Sequence, residues 1–205
     1  MNEKPILFNA EMVNAILSGR KTQTRRIISE KTLHLFGVAA SAGECHPIEL
    51  CDQRSQSYYL DFCPLGKPGD QLWVREAFAA GLCTESTLAY RATHKTEDLE
   101  EGWGETIKWT PSIHMPRWAS RINLLITGVR VERLNDISEQ DAISEGLECY
   151  VDDGVPYYGP FNNGDCRPDV VFRGLWDSIY GQKEGENWQA NPWVWVINFD
   201  RMEAK

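Results

Sequence analysis

The order in which apolar periodicities follow one another constrains this chain most. "PILF" at 5–8 reads as a short strand. "NAEMVNAILSG" reads as a helix, with Asn9 able to cap it, Met12, Val13, Ile16 and Leu17 at helical spacing, and Gly19 as a stop. "TQTRRII" at 22–28 is β-rich, "SYYLDF" at 57–62 alternates like a strand, "QLWVREAF" reads as a central strand and "LAYRAT" as a short one. "RINLLITGVRVERL" at 121–134 is the longest strand signal, and Gly128 inside it predicts a bulge. "DISEQDAISEGL" at 136–147 predicts a short helix, with Ser138 as N-cap, Asp141 at the capping-box position and Gly146 at its end. "RPDVVFRGLWDSIYG" predicts an amphipathic helix with Pro168 at its first position and Phe172, Leu175, Trp176 and Ile179 as its apolar stripe. "NPWVWVINFDRM" predicts a closing strand. This order lacks the regular strand–helix alternation of a doubly wound sheet. It predicts an α+β fold, a small mixed β-barrel with flanking helices and long loop insertions.

Between these elements lie polar stretches. Residues 29–56 read as an insertion or long loop, "CPLGKPGD" as a turn, and "CYVDDGVPYYGPFNNGDC" as a loop rich in Gly, Pro and Asn. At 205 residues the chain suits one domain with generous insertions. Its formal net charge of -9 argues against a general nucleic-acid coat but leaves room for one basic pocket. The opening "MNEKPILFNA" has no signal-peptide pattern, and no stretch approaches a membrane span, so a cytoplasmic protein with reduced thiols is expected. Cys45, His46, Cys51 and Cys63 invite a zinc reading, but their spacing matches no standard finger or ribbon, and no metal or other cofactor is expected.

The densest basic cluster, "GRKTQTRR" at 19–26, sits where the first helix should stop. Strand periodicity would send Lys21 and Thr24 to opposite faces, so they meet only if the chain is still turning at Lys21. If they meet, the Thr24 hydroxyl is a candidate nucleophile and a neutral Lys21 the base that takes its proton. An ordinary lysine is neutral in about 1 in 2,500 molecules at pH 7, a penalty of roughly 4.6 kcal/mol. Arg20, Arg25 and Arg26 reduce that penalty, and the helix C-terminus increases it. A solvated basic turn would give the same pattern. Glu145, at the last turn of the helix that Gly146 ends, faces the negative end of the dipole. Such a misfit is either an exposed residue of small cost or a functional one. Trp73, Trp118, Trp193 and Trp195 offer stacking surfaces or core packing, and Arg75, Arg117 and Arg121 are further candidates for phosphate or ion pairing.

"ILSGRKTQTRR" resembles the signature of ASCH-domain proteins, a branch of the PUA-like superfamily, through Gly19, Lys21, Thr24 and Arg26. "PGDQLWVRE", "VRVERLNDISEQDAISEGL" and "NPWVWVINF" resemble three further blocks of that family in the same order. The resemblance implies a β-barrel with a cleft for RNA or a nucleoside. Small bacterial members are amidohydrolases that convert N4-acetylcytidine to cytidine and acetate with a lysine, a threonine and a glutamate. These fall on Lys21, Thr24 and Glu145. Arg26, Arg25, Arg75 and Trp73 are the candidate substrate-binding residues, with Arg26 or a backbone N–H as oxyanion donor. The chain is longer than the compact amidohydrolases, with extra segments near 29–60, 78–110 and 148–167. In that it resembles the long ASCH proteins of phages and prophages. A nucleoside or RNA ligand is therefore expected. The alternatives are a module that binds RNA or a modified nucleoside without chemistry, a ribonuclease, and a phage accessory or assembly protein.

Overall fold

The structure, a computed structural model, describes residues 2–50, 53–81, 87–103, 106–160 and 164–203. In chain order the elements are β1 (Glu3–Leu7), α1 (Ala10–Leu17), β2 (Gln23–Ile27), α2 (Glu30–Ser41), α3 (Gln53–Leu60), β3 (Gln71–Arg75), β4 (Phe78–Ala80), β5 (Leu88–Tyr90), α4 (Thr96–Trp103), β6 (Asn123–Arg133), α5 (Glu139–Ser144), β7 (Cys149–Asp152), β8 (Val155–Tyr158), α6 (Pro168–Tyr180) and β9 (Trp193–Arg201). The class is α+β.

Five strands form one mixed sheet in the order β1-β3-β6-β9-β2, with β1 parallel to β3 and the other neighbours antiparallel. β6 is the middle strand, and β3 is an interior strand as "QLWVREAF" predicts, flanked by β1 and β6. Gly128 marks a register shift against β9, as its position in an alternating run predicts. β9 is buried on both faces, which explains its near-continuous apolar run. Trp193, Trp195, Ile197 and Phe199 pack into the larger core with α1, α2 and β3, while Val194 and Val196 join α5 and α6 on the other side.

No ladder joins β1 to β2 among the described residues, and the expected barrel appears as an open sheet whose two edges approach each other. Asn2 accepts from Gln71 N and Phe8 N donates to Arg75 O, so even-numbered residues of this segment face β3. The nitrogen of Pro5 therefore points away from the ladder, the position in which a strand tolerates proline. In β2, Thr22 and Ile28 bond to β9, so the main-chain groups of Gln23, Arg25 and Ile27 face the same gap. One side chain spans it. Arg26 donates to Leu7 O at 2.9 Å and to Arg25 O at 3.4 Å.

The insertions are more regular than their polar composition predicts. Residues 29–56 carry α2 and the start of α3, and "SYYLDF" belongs largely to α3 and the turn after it, where a strand was expected. Packing decides the matter: Tyr59 is buried against Phe36 with ring centroids 4.7 Å apart, and its hydroxyl donates to His46 O. Within 148–167, β7 and β8 form a hairpin turned by Asp153 and Gly154, both at positive φ, as an Asp-Gly pair favours. The segment 78–110 contributes the β4–β5 hairpin and α4. Cys51 and Cys83 lie outside the described residues, and among those described no group of three His, Cys, Asp or Glu is placed to hold a metal. No helix among them is long and apolar enough to cross a membrane.

Candidate functional site

After α1 the chain is still turning at Lys21, which lies before β2. Asn9 caps α1 by accepting from Met12 N, and Gly19, at φ 77°, ends it. Lys21 N then donates to Ala15 O and Thr22 N to Ser144 O, which fastens the turn to the C-terminal ends of both α1 and α5. Lys21 forms an isolated antiparallel bridge with Glu145 before β2 begins. Gly146 makes this approach possible. A Cβ there would lie 2.8 Å from the Lys21 Cβ and 2.9 Å from the Ala15 Cβ, and its φ of 98° is one that other residues rarely adopt.

Lys21 Nζ donates to Glu145 Oε2 at 2.7 Å and to Glu145 O at 2.8 Å, with both side chains almost wholly buried. The second carboxylate oxygen of Glu145 accepts from Arg25 Nη1 at 3.1 Å. Arg25 is itself sealed, and also donates to Glu132 at 2.5 Å, Asp141 at 3.3 Å and Gln23 at 2.6 Å. Arg130 bridges Glu132 and Asp141 from outside. Burial pushes the Lys21 ammonium below its ordinary 10.5; the Glu145 carboxylate opposes that, and Arg26 and Arg25 reinforce it. Burial pulls the Asp141 carboxyl upward, but the Gln23 amide and the guanidiniums of Arg130 and Arg25 outweigh it and hold the group low.

Lys21, Thr24, Arg25, Arg26 and Glu145 line one cavity of about 540 Å³ in the gap between β1 and β2. Pro5, Ile6 and Leu7 form one wall, and Phe172, Leu175, Trp176, Ile179 and Tyr180 of α6 form another. Thr24 is only 1% exposed, and its hydroxyl makes no hydrogen bond among the described residues. A second cavity of about 630 Å³, between α1 and α6, shares Asn9, Met12, Glu145 and Leu175 with the first. Chemically the first cavity joins an amine beside a carboxylate, a free hydroxyl and an apolar chamber.

Of the seven expected residues, the structure brings Lys21, Thr24, Glu145, Arg25 and Arg26 around this cavity. Arg75 and Trp73 are not among its lining. Their guanidinium–indole pair, 5.5 Å apart, lies on β3 beside Arg117, where Arg75 also donates to Ile113 O. The roles of Arg25 and Arg26 differ from plain ligand cations, since one is held by carboxylates and the other by two main-chain carbonyls. Sequence reasoning missed Gln23, Glu132 and Arg130 as supports. A readable signal existed: Lys21, Gln23 and Arg25 recur at strand spacing, and Asp141 and Glu145 at helical spacing, so each set presents complementary groups on one face.

No protein-family model matches this chain, and no curated protein sequence matches it. Among solved structures it is similar to the one described as "High resolution crystal structure of ASCH domain from Lactobacillus crispatus JV V101", at 13% identity. The match covers 98% of this chain and 79% of that one, with a TM-score of 0.38, a likeness that assigns no residue a role.

Proposed function

We propose that this chain is a single ASCH-type domain of the PUA-like kind, residues 1–205 with insertions near 29–60, 78–110 and 148–167, and that it hydrolyses an N4-acylated cytosine nucleoside. The observation that carries this reading is the buried Lys21–Glu145 pair at 2.7 Å, lining the same cavity as a Thr24 hydroxyl that is not otherwise engaged. In the proposed reaction Thr24 Oγ attacks the acyl carbon and its proton passes to neutral Lys21. The C–N bond then breaks, and the amine leaves with the proton from Lys21. Water next attacks the Thr24 ester, giving its proton to Lys21; the ester C–O bond breaks, Lys21 returns that proton to Thr24 Oγ, and the carboxylic acid departs. Glu145 holds the amine in place throughout. Desolvation of Lys21 supports the step by cutting the cost of its neutral form. Arg26 gives two of its five N–H groups to carbonyls, so its remaining donors and the main-chain N–H groups along the open edges of β1 and β2 are the oxyanion donors to hand.

One observation favours a second reading, a nucleoside-binding module without catalysis. Lys21 Nζ meets two acceptors of Glu145, which suits an ammonium as well as an amine. Conversion of N4-acetylcytidine to cytidine by the purified protein, with Thr24→Ala alongside, separates the two. Turnover that the substitution abolishes supports hydrolysis. Saturable binding that survives Thr24→Ala, without turnover, supports the binding module, and cleavage of RNA without any acyl group would point to a ribonuclease.

A further inference from the structure

Three of the four charged side chains that line the 540 Å³ cavity are ion-paired. Lys21 is bound by Glu145, Glu145 by Lys21 and Arg25, and Arg25 by three carboxylates, although its Nε is buried without a partner among the described residues. Arg26 is held by two carbonyls and, among the described residues, by no carboxylate. A ligand anion would have to break a buried pair to gain Lys21, at the cost of leaving the Glu145 charge behind, but not to gain Arg26. Among the neutral groups, Trp176 turns its N–H to Glu186 O, and the carbonyl of Asn9 caps α1. The Asn9 amide nitrogen, the Thr24 hydroxyl and the Tyr180 phenol remain for a ligand among the described residues.

The rest of the chamber is apolar. Phe172 and Trp176 are buried, Leu175 is half-buried, and Ile179 is 43% exposed although it lines the cavity. These four residues repeat every three or four positions along α6 and so make one continuous wall. Met12, Pro64 and Leu65 face the same chamber. Uncovered apolar surface of this kind gains most from an apolar occupant.

Resting on the hydrolase reading, we propose that the site selects an amide whose acyl group is apolar and longer than acetyl, seated along α6. Ile179 and Leu175 set the length accepted, because Ile179 is the exposed end of the wall and Leu175 also lines the neighbouring cavity.

The test compares kcat/KM for N4-acetylcytidine and N4-hexanoylcytidine, with the full chain and with Ile179→Trp. Each buried methylene is worth roughly fourfold, so hexanoyl should exceed acetyl by at least about tenfold. Ile179→Trp should collapse the ratio of hexanoyl to acetyl. A preference for acetyl overturns the inference. If neither compound is turned over, calorimetric binding of the same two compounds decides. Tighter binding of the hexanoyl compound then keeps the apolar site and retires the hydrolysis, whereas equal or undetectable binding retires both.

Discussion

At the scale of the residue, Arg25 governs the arrangement. It divides the Glu145 carboxylate, taking Oε1 and leaving Oε2 to Lys21. Removing its charge by Arg25→Met would leave the carboxylates of Glu132, Asp141 and Glu145 facing an apolar side chain. A loss of about 3–5 kcal/mol is expected in urea denaturation, as for other broken buried pairs, and Arg25→Lys should recover part of it. Lys21 carries a different signature. Its folded pKa lies below the ordinary 10.5, so as pH rises toward 10.5 the unfolded chain holds a proton that the folded chain releases. Stability from this group therefore increases with pH across that window and is flat below it. Lys21→Met should flatten the rise, seen as denaturation midpoints that climb less than the parent's as pH approaches 10.5. Asp141 acts in the opposite range: its depressed pKa contributes stability above 3.8 that is lost as pH falls through the folded value. Lys21, Thr24 and Glu145 were legible in the sequence because a motif and a helix-dipole misfit marked them. The partners of Arg25 were not, because they depend on how β2, β6 and α5 come to lie side by side.

At the scale of the element, the site depends on two short helices that end correctly. The C-cap of α5 is Glu145 itself, and Gly146 behind it leaves room for Lys21. Gly146→Ala forces a Cβ into two others at under 3 Å and into a strained φ. We expect a loss of about 1–3 kcal/mol and a displaced Lys21, checked by thermal unfolding together with the pH series of Lys21→Met. Ser138, which accepts from Asp141 N, caps the same helix from the other end, and Ser138→Ala should cost about 1 kcal/mol by the same measurement. Such signals are local, and so Asn9, Gly19, Ser138, Gly146 and Gly128 could all be read in advance. "SYYLDF" misled because its alternation fits a strand, while the burial of Tyr59 against Phe36 makes it a helix. The Asp153–Gly154 turn was equally local, and a hairpin could have been read from it.

At the scale of the whole molecule, a sheet with two edges unpaired among the described residues is folded so that the edges face each other, and the Arg26 side chain reaches across from β2 to Leu7 O of β1. Arg26→Ala should speed amide hydrogen exchange in β1 and β2 by roughly tenfold or more, the equivalent of about 1.5 kcal/mol for one hydrogen bond to a charged group, while β6 and β9 stay protected. Equal acceleration in all four strands would mean that the arginine supports the fold generally. This clasp also bears on a difficulty in the site itself, where a hydroxyl only 1% exposed is asked to meet a molecule from solution. Two strands held by a side chain can part and close again without unzipping any backbone pairing. An entry between these strands would add to the open side along α6, and the arginine that looks like a binding residue would then serve as its latch.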